Sequence, residues 1–509
     1  MKKLFFLLLI AIMAVSCSKK VEIKGKIANA SPLDRIEIIE ASGVGTLPLI
    51  NMGLSKAGEF SGSFEAPKDG LYAITYAGNM NVIYLKKGQE INISGNSGDF
   101  PQKMVITGDA KANNDFIQQA QKDFEQYAVN IKVEQMVSQK EPQFLAAFKK
   151  IHTDLKNKIE ETGKKLNADQ AAIDFKITET NARLLGLLDA YEQYNGQMSG
   201  NTAFKASKAF QDVKKDLAKD QDKMIAEIPA YRDYMLNRMN PDFQKYAQSQ
   251  SVGADTMISD VFAKFLKTKK DLSQVTKDYL YAYVIAQSDI NFNNYKKYDQ
   301  VSKLIEDNIS DSKVKNDLKH LQTVLMGFKS GTAPEMKLVS KEGKNSNLAD
   351  LKGKPTLVAF YASWNPNIAI STVPVMKDVA QFFKSRLNFA YVNLDDTKEQ
   401  FQKTSAAMFG SFPGANYWAE GGINADQVRK FGLYGFKIPS YIILDKDGKI
   451  QGRPYFNLGD PELVQELEKL TGLKAPQVAP QMVPQMQPQS PPPAQGQVPA
   501  KTDSASSAN

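Results

Sequence analysis

At about 150 residues per domain, a chain of 509 residues favours about three folded units over one. Hydrophobic residues at 42 % and charged residues at 24 % are ordinary globular usage, which disfavours wholesale disorder and a multi-span membrane protein. The 64 Lys and Arg against 56 Asp and Glu leave a net charge of +8 spread along the chain, which gives no basis for nucleic-acid binding. Cys17 is the single cysteine, so an internal disulfide and dithiol chemistry are excluded. His152 and His320 are the only histidines, too few for a catalytic triad or for a zinc centre, which draws three or four ligands from His, Cys and carboxylates. Both read as surface or core positions on helices, and neither a metal nor a cofactor is expected.

The chain opens with Lys2 and Lys3 before an apolar run from Leu4 to Val15, the charged and short apolar regions of a secretory signal over residues 1–16. The run is too short for a comfortable membrane span. It ends in Ala14-Val15-Ser16-Cys17, which resembles the lipobox of bacterial lipoproteins. That resemblance implies removal of the leader and acylation of Cys17 by diacylglycerol and palmitate. At about 0.8 kcal/mol per buried CH₂, several acyl chains hold a protein on a bilayer essentially permanently. Ser18, with no acidic cluster after it, is similar to the pattern of lipoproteins sent to the outer membrane and facing the periplasm.

Over residues 17–112 short alternating runs such as Val21–Gly25, Ile36–Ile39, Leu71–Tyr76, Val82–Leu85 and Ile91–Ile93 are broken by Gly, Asn, Asp and Pro. This pattern predicts a small antiparallel β-sandwich. The segment, closing on Gly108-Asp109-Ala110-Lys111-Ala112-Asn113, resembles the β-domain of unknown function (DUF4369) at the N-terminus of many Bacteroidetes lipoproteins. No cluster of reactive side chains stands in it, so a structural or interaction role is expected.

Residues 113–330 switch to helical period, with Phe144–Leu166 and Ala168–Tyr194 placing apolar residues three and four apart. Asn240-Pro241 and Ile228-Pro229 predict helix boundaries, because the residue before proline avoids the α region. The Lys214-Lys215 pair and Lys267-Thr268-Lys269-Lys270 read as solvated faces. Tyr279, Tyr281, Tyr283, Phe292 and Tyr295 read as core rather than a ligand groove. Residues 474–509 turn into Pro, Gln, Ala and Ser, a composition expected to stay disordered with polyproline II character.

In residues 331–473 the apolar run Thr356–Tyr361 opens onto Ala362-Ser363-Trp364-Asn365-Pro366-Asn367 and a helix. A second strand, Asn388–Leu394, ends at Asp395-Asp396. Then come a short helix Asp426–Phe431, the segment Ile438-Pro439-Ser440, the strand Tyr441–Leu444, a turn at Asp445-Lys446-Asp447-Gly448 and a closing helix Pro461–Leu470. Strands alternating with helices and one late hairpin describe an α/β sheet covered on both faces. The expected class is multidomain α+β: β-sandwich, helical domain, α/β domain and tail.

This last stretch resembles the thioredoxin-like membrane-anchored thiol-disulfide reductases similar to TlpA and ResA (AhpC/TSA-type). The family's Ala-Ser-Trp-Cys-x-x-Cys motif falls on Ala362-Ser363-Trp364-Asn365-Pro366-Asn367-Ile368, with Asn365 in place of the nucleophile and Ile368 in place of the resolving thiol. The downstream acid is absent, Pro374 stands one position late, and Ile438-Pro439 keeps the cis-proline segment. Exchange proceeds by thiolate attack on sulfur, which an amide cannot perform. Ser363 and Ser371 have no activating base in the module. The resemblance therefore implies a pseudo-enzyme of the cell envelope. Its expected role is binding an extended peptide or envelope protein through Trp364, Asn365, Asn367, Ile438 and Pro439, with Ile438 offering its N–H and C=O. The alternative is a part in periplasmic redox through a partner's thiols.

Overall fold

The computed structural model describes residues 20–201, 204–250, 253 and 255–474. The leader, Cys17 and residues 475–509 lie outside the described residues. The first unit has strands β1 (Lys20–Ala28), β2 (Arg35–Glu40), β3 (Pro48–Gly53), β4 (Glu59–Glu65), β5 (Gly70–Tyr76), β6 (Asn79–Leu85), β7 (Glu90–Asn96) and β8 (Met104–Gly108). They form two four-stranded sheets in the orders β4-β1-β7-β8 and β3-β2-β5-β6. Alternation sets the faces: Val21, Ile23, Ile27, Ile36, Ile38, Ile91 and Ile93 point into a shared core with Tyr72 and Ile74.

The runs alone predict an antiparallel sandwich, and the structure corrects this at one pair. β1 and β7 pair parallel, with Ile23 opposite Ile91, because the chain passes through the other sheet before β7 and no hairpin fixes its direction. Strand β4 escaped the sequence reading because its central inward position is Gly62. A Cβ there would lie 2.5 Å from Ile50 Cδ1 and 2.9 Å from Met52 Sδ, so β3 fills that space.

Helices occupy the middle of the chain, from Lys111–Ala128 to Ser312–Met326, with the long antiparallel neighbours Glu141–Lys165 and Gln170–Met198. Their core centres on rings: Phe144 lies 4.2 Å from Tyr191 and 5.8 Å from Phe210 between centroids. Tyr281 is buried in it, and Tyr279, Tyr283, Phe292 and Tyr295 are half-buried. A helix ends at Glu227 and the next starts at Pro229, with Ile228 extended between them.

Two expectations for this region fail. Pro241 lies inside the helix Pro229–Ser249 rather than at a boundary. Buried Met235 and Met239 anchor the part before it, and Phe243, 5.1 Å from Phe262 and 5.5 Å from Phe265, anchors the part after it, so packing overrides the local preference. Lys214 is buried rather than solvated, because its ammonium meets Asp189 and lies 2.9 Å from Glu192 Oε2.

The third unit is a seven-stranded sheet in the order β10-β9-β13-β12-β11-β14-β15. Its strands are β9 (Lys337–Ser340), β10 (Asn345–Asn347), β11 (Thr356–Tyr361), β12 (Asn388–Asn393), β13 (Ala415–Trp418), β14 (Ser440–Leu444) and β15 (Ile450–Tyr455). β11, β12 and β13 run parallel, while β14 and β15 are antiparallel. Every side chain of β11 is buried, as a central strand covered on both faces requires. The short β9, β10 and β13, of three or four residues each, gave no readable period.

Candidate functional site

The site grows from the end of central strand β11. Ser363 N–H donates to Asp395 Oδ1 at 2.6 Å, and the buried Asp395 carboxylate also accepts from Asn393 Nδ2 and Thr404 Oγ1, each at 2.9 Å. Three segments meet on this one carboxylate: the turn after β11, the end of β12 and the helix Lys398–Met408. It holds the turn after β11 against the end of β12. Asp395 carried no role in the sequence reading beyond ending a strand; a carboxylate just past a strand that is buried after its first residue was the available signal.

Asn365 stands at the following helix start, with Pro366 next to it as the first helical residue, an arrangement that suits both residues. Its Oδ1 accepts from Asn367 N–H at 3.0 Å, and its Nδ2 donates to the Ile438 carbonyl at 2.5 Å, across the cis Ile438-Pro439 bond. One carboxamide therefore caps the helix and ties the two loops of the cleft together. The Ile438 N–H donates to Gly435 O at 3.3 Å. Both main-chain groups expected to be free at Ile438 are thus engaged within the chain, the carbonyl by the Asn365 amide, which has a donor where a thiolate would have none, and the N–H by the local turn onto Gly435.

After Asn367 the backbone makes a π turn, Ile368–Thr372, before the α-helix Val373–Phe383. A π turn holds one residue more than an α turn, which accommodates the late position of Pro374. Ile368 is buried in the sheet core. Pro366, Asn367, Ile370 and Phe436 are exposed, Ile370 by 77 % and Phe436 by 56 %. Ser371 Oγ donates to Asn367 O at 2.7 Å. His152 Nε2 lies 3.0 Å from Asn181 Oδ1 and His320 Nε2 lies 2.8 Å from Tyr434 Oη, so each histidine is engaged elsewhere. Among the described residues no group of three or more His, Cys, Asp or Glu could hold a metal.

The sandwich supplies what sequence reasoning missed. Arg35 of β2 donates from Nη1 to Asp396 Oδ2 at 2.6 Å and from Nη2 to Asp396 Oδ1 at 3.0 Å, a bidentate pair. Its guanidinium carbon lies 4.8 Å from the centre of the Trp364 ring, within cation–π range. Edge strand β3 is read at its main chain: Asn424 Oδ1 accepts from Asn51 N–H at 2.9 Å, and Asn424 Nδ2 donates to Asn51 O at 2.7 Å. Asn51 Nδ2 in turn donates to Glu37 Oε1 at 2.5 Å, and burial pushes the Glu37 carboxyl above its ordinary range. Trp364 is half-buried, and its Nε1 is buried with no hydrogen-bond partner among the described residues. Among the described residues, what the site presents is hydrogen-bonding edges and an indole face.

Residues 353–450 match the family described as Thioredoxin-like. Over 100 residues the chain is 31 % identical to the chloroplastic thioredoxin-like protein HCF164 of Oryza sativa subsp. japonica, covering 20 % of this chain and 28 % of that protein. Over 122 residues it is 27 % identical to the protein of the same name from Arabidopsis thaliana, covering 24 % and 36 %. The chain therefore spans about a third of the length of the curated relatives it matches. The solved thioredoxin domain of a thiol-disulfide oxidoreductase from Bacteroides vulgatus is 20 % identical, covering 28 % of this chain and 99 % of that one at a TM-score of 0.24. A thiol-disulfide oxidoreductase from Bacteroides fragilis is 18 % identical, covering 27 % and 98 % at a TM-score of 0.24. Residues 353–450 are thus a thioredoxin-like domain.

Proposed function

We propose that this chain is a cell-envelope lipoprotein, held by acyl chains on Cys17 at the outer membrane and facing the periplasm, whose thioredoxin-like domain exchanges no thiols and serves as a peptide- or protein-binding scaffold. The observation that carries the redox-inactive part is Asn365. Its amide sits where the attacking sulfur would stand and is bonded to Asn367 N–H and to the Ile438 carbonyl. An amide cannot become a thiolate or enter a mixed disulfide, and buried Ile368 cannot resolve one. The scaffold part is supported by the use the domain already makes of this face, where Asn424 pairs with the edge of β3 and Asp396 with Arg35. Main-chain pairing of this kind needs no sulfur. The lipid anchor rests on the Ala14-Val15-Ser16-Cys17 run.

Insulin reduction by dithiothreitol tests the first part: the purified chain is expected to add nothing to the rate without protein, and turnover above that control overturns the proposal in favour of redox work. In the same assay Asn365→Cys combined with Ile368→Cys is expected to form a reducible disulfide, since the turn brings Ile368 N–H to 3.1 Å from Asn365 O. For the anchor, cells fed labelled palmitate are expected to mark the chain, and to lose the mark with Cys17→Ala; an unlabelled wild-type chain contradicts it.

A further inference from the structure

Resting on the peptide-binding reading above, we infer that the β-sandwich is a built-in cap over the cleft beside Pro439: Arg35, anchored on Asp396 and laid across Trp364, must swing away before an extended polypeptide can bind. Four hydrogen bonds hold the Arg35 guanidinium in the closed arrangement, with Nε on Asn51 Oδ1 at 2.5 Å, Nη2 on Asn51 O at 3.0 Å and both Nη groups on Asp396. It lies against the indole face that a client's side chains would need. Two features mark the closed arrangement as an alternative to a bound client rather than a complete joint. The Trp364 Nε1–H is buried without an acceptor among the described residues, a cost that a client carbonyl entering at that edge removes. The Ile438 carbonyl is held by the Asn365 side chain, a rotatable group that can yield it to a client N–H. Meanwhile Phe436 and Ile370, on the two segments that frame the cleft, stay outside the cap, so an incoming chain has an apolar foothold before the cap moves. Gly435 sets how closely the two units approach: a Cβ there would lie 2.7 Å from Asn51 Nδ2 and 3.1 Å from Glu37 Oε1.

The test uses the full chain in detergent with Trp418→Phe, which leaves Trp364 as the one tryptophan of the two. Acrylamide quenching reports the indole, and fluorescently labelled, reduced and carboxymethylated α-lactalbumin serves as an unfolded polypeptide without free thiols. Arg35→Ala, and separately Asp396→Asn, are expected to raise the quenching of Trp364 and to tighten binding of the probe by about tenfold, as for a binding-competent state that is about a tenth populated. Arg35→Asp with Asp396→Arg is expected to restore both values, which a merely damaged fold would not do. Gly435→Ala is expected to move them in the same direction by less. If Trp364 is quenched as readily in the parent as in the variants, there is no cap. If quenching rises but affinity stays the same, the cap does not gate binding. If quenching rises and the probe binds none of the forms, the peptide-binding reading fails, and gating fails with it.

Discussion

Asn365 does two jobs with one amide, and the two can be separated chemically. Aspartate at this position keeps the acceptor for the Asn367 N–H but loses the donor, and it sets a carboxylate against the Ile438 carbonyl now bonded at 2.5 Å. Asn365→Asp is expected to lower unfolding stability by about 1–3 kcal/mol at neutral pH, the cost of an unmade bond at a partly buried acceptor. Repulsion from the carbonyl raises the new acid's pKa in the folded state above its unfolded value of about 4, so the folded state binds the proton more tightly and the deficit shrinks as pH falls through that range. Urea melts of the two proteins at pH 7 and pH 4 check this; equal stability at pH 7 would show that the bond to Ile438 contributes nothing. The motif around Asn365 was legible because its parts are neighbours in the chain. Its partner carbonyl, 73 positions away, was legible only through the cis-proline pattern.

Helices and strands show where local rules yield to packing. Pro241 has no N–H to give the carbonyl of Asn237 one turn earlier, yet the helix Pro229–Ser249 runs through it. The rings of Phe243 and Tyr246 against Phe265 on the next long helix, at 5.5 Å and 5.6 Å, hold the second half in place. Pro241→Ala restores the missing donor and is expected to stabilise the helical region by about 2 kcal/mol, an interior proline's cost less the chain entropy it removes on unfolding. A higher unfolding midpoint with an unchanged far-UV spectrum is the expected measurement; no gain would mean that the helix relies on the proline. The π turn at Ile368–Thr372 is the opposite case. There an extra residue was visible as a displaced Pro374, but only the backbone shows how it is absorbed.

Across the whole molecule, the thioredoxin-like domain is tied to both other units through polar groups that sit next to its cleft. Lys437, just before Ile438, is buried and donates to the Val324 carbonyl in the last turn of the helix Ser312–Met326 and to Gly432 O at 3.2 Å. Burial pulls its amino group down to about 7 from an ordinary 10.5. Between those values the unfolded chain holds a proton that the folded chain has released. Stability therefore rises with pH through this window, by up to about 1.4 kcal/mol per unit, and levels off above it. Lys437→Met removes the titrating group, so the stability difference between variant and parent should shift steadily between pH 7 and pH 10 in the parent's favour. Parallel pH profiles would rule this out. The reading is the slope and not the height, because methionine also leaves the Val324 carbonyl without its donor. His320, held below the ordinary imidazole range by burial, joins the same two units through Tyr434.

From the amino-acid order alone came the alternating runs of the sandwich, the helical middle, the β11-to-helix motif and the presence of Asn365 and Ile368 in it, where the family it resembles carries cysteines. All of these are carried by periodicity or by residues a few positions apart, where covalent geometry sets the neighbours. The tertiary structure alone decided that the cleft face is covered. Arg35 and Asp396 lie 361 positions apart, and Asn51 and Asn424 lie 373 apart. No local pattern distinguishes a surface arginine on a strand from one that will close over a tryptophan, because that outcome depends on how three separately formed cores dock and on which polar groups their docking removes from water.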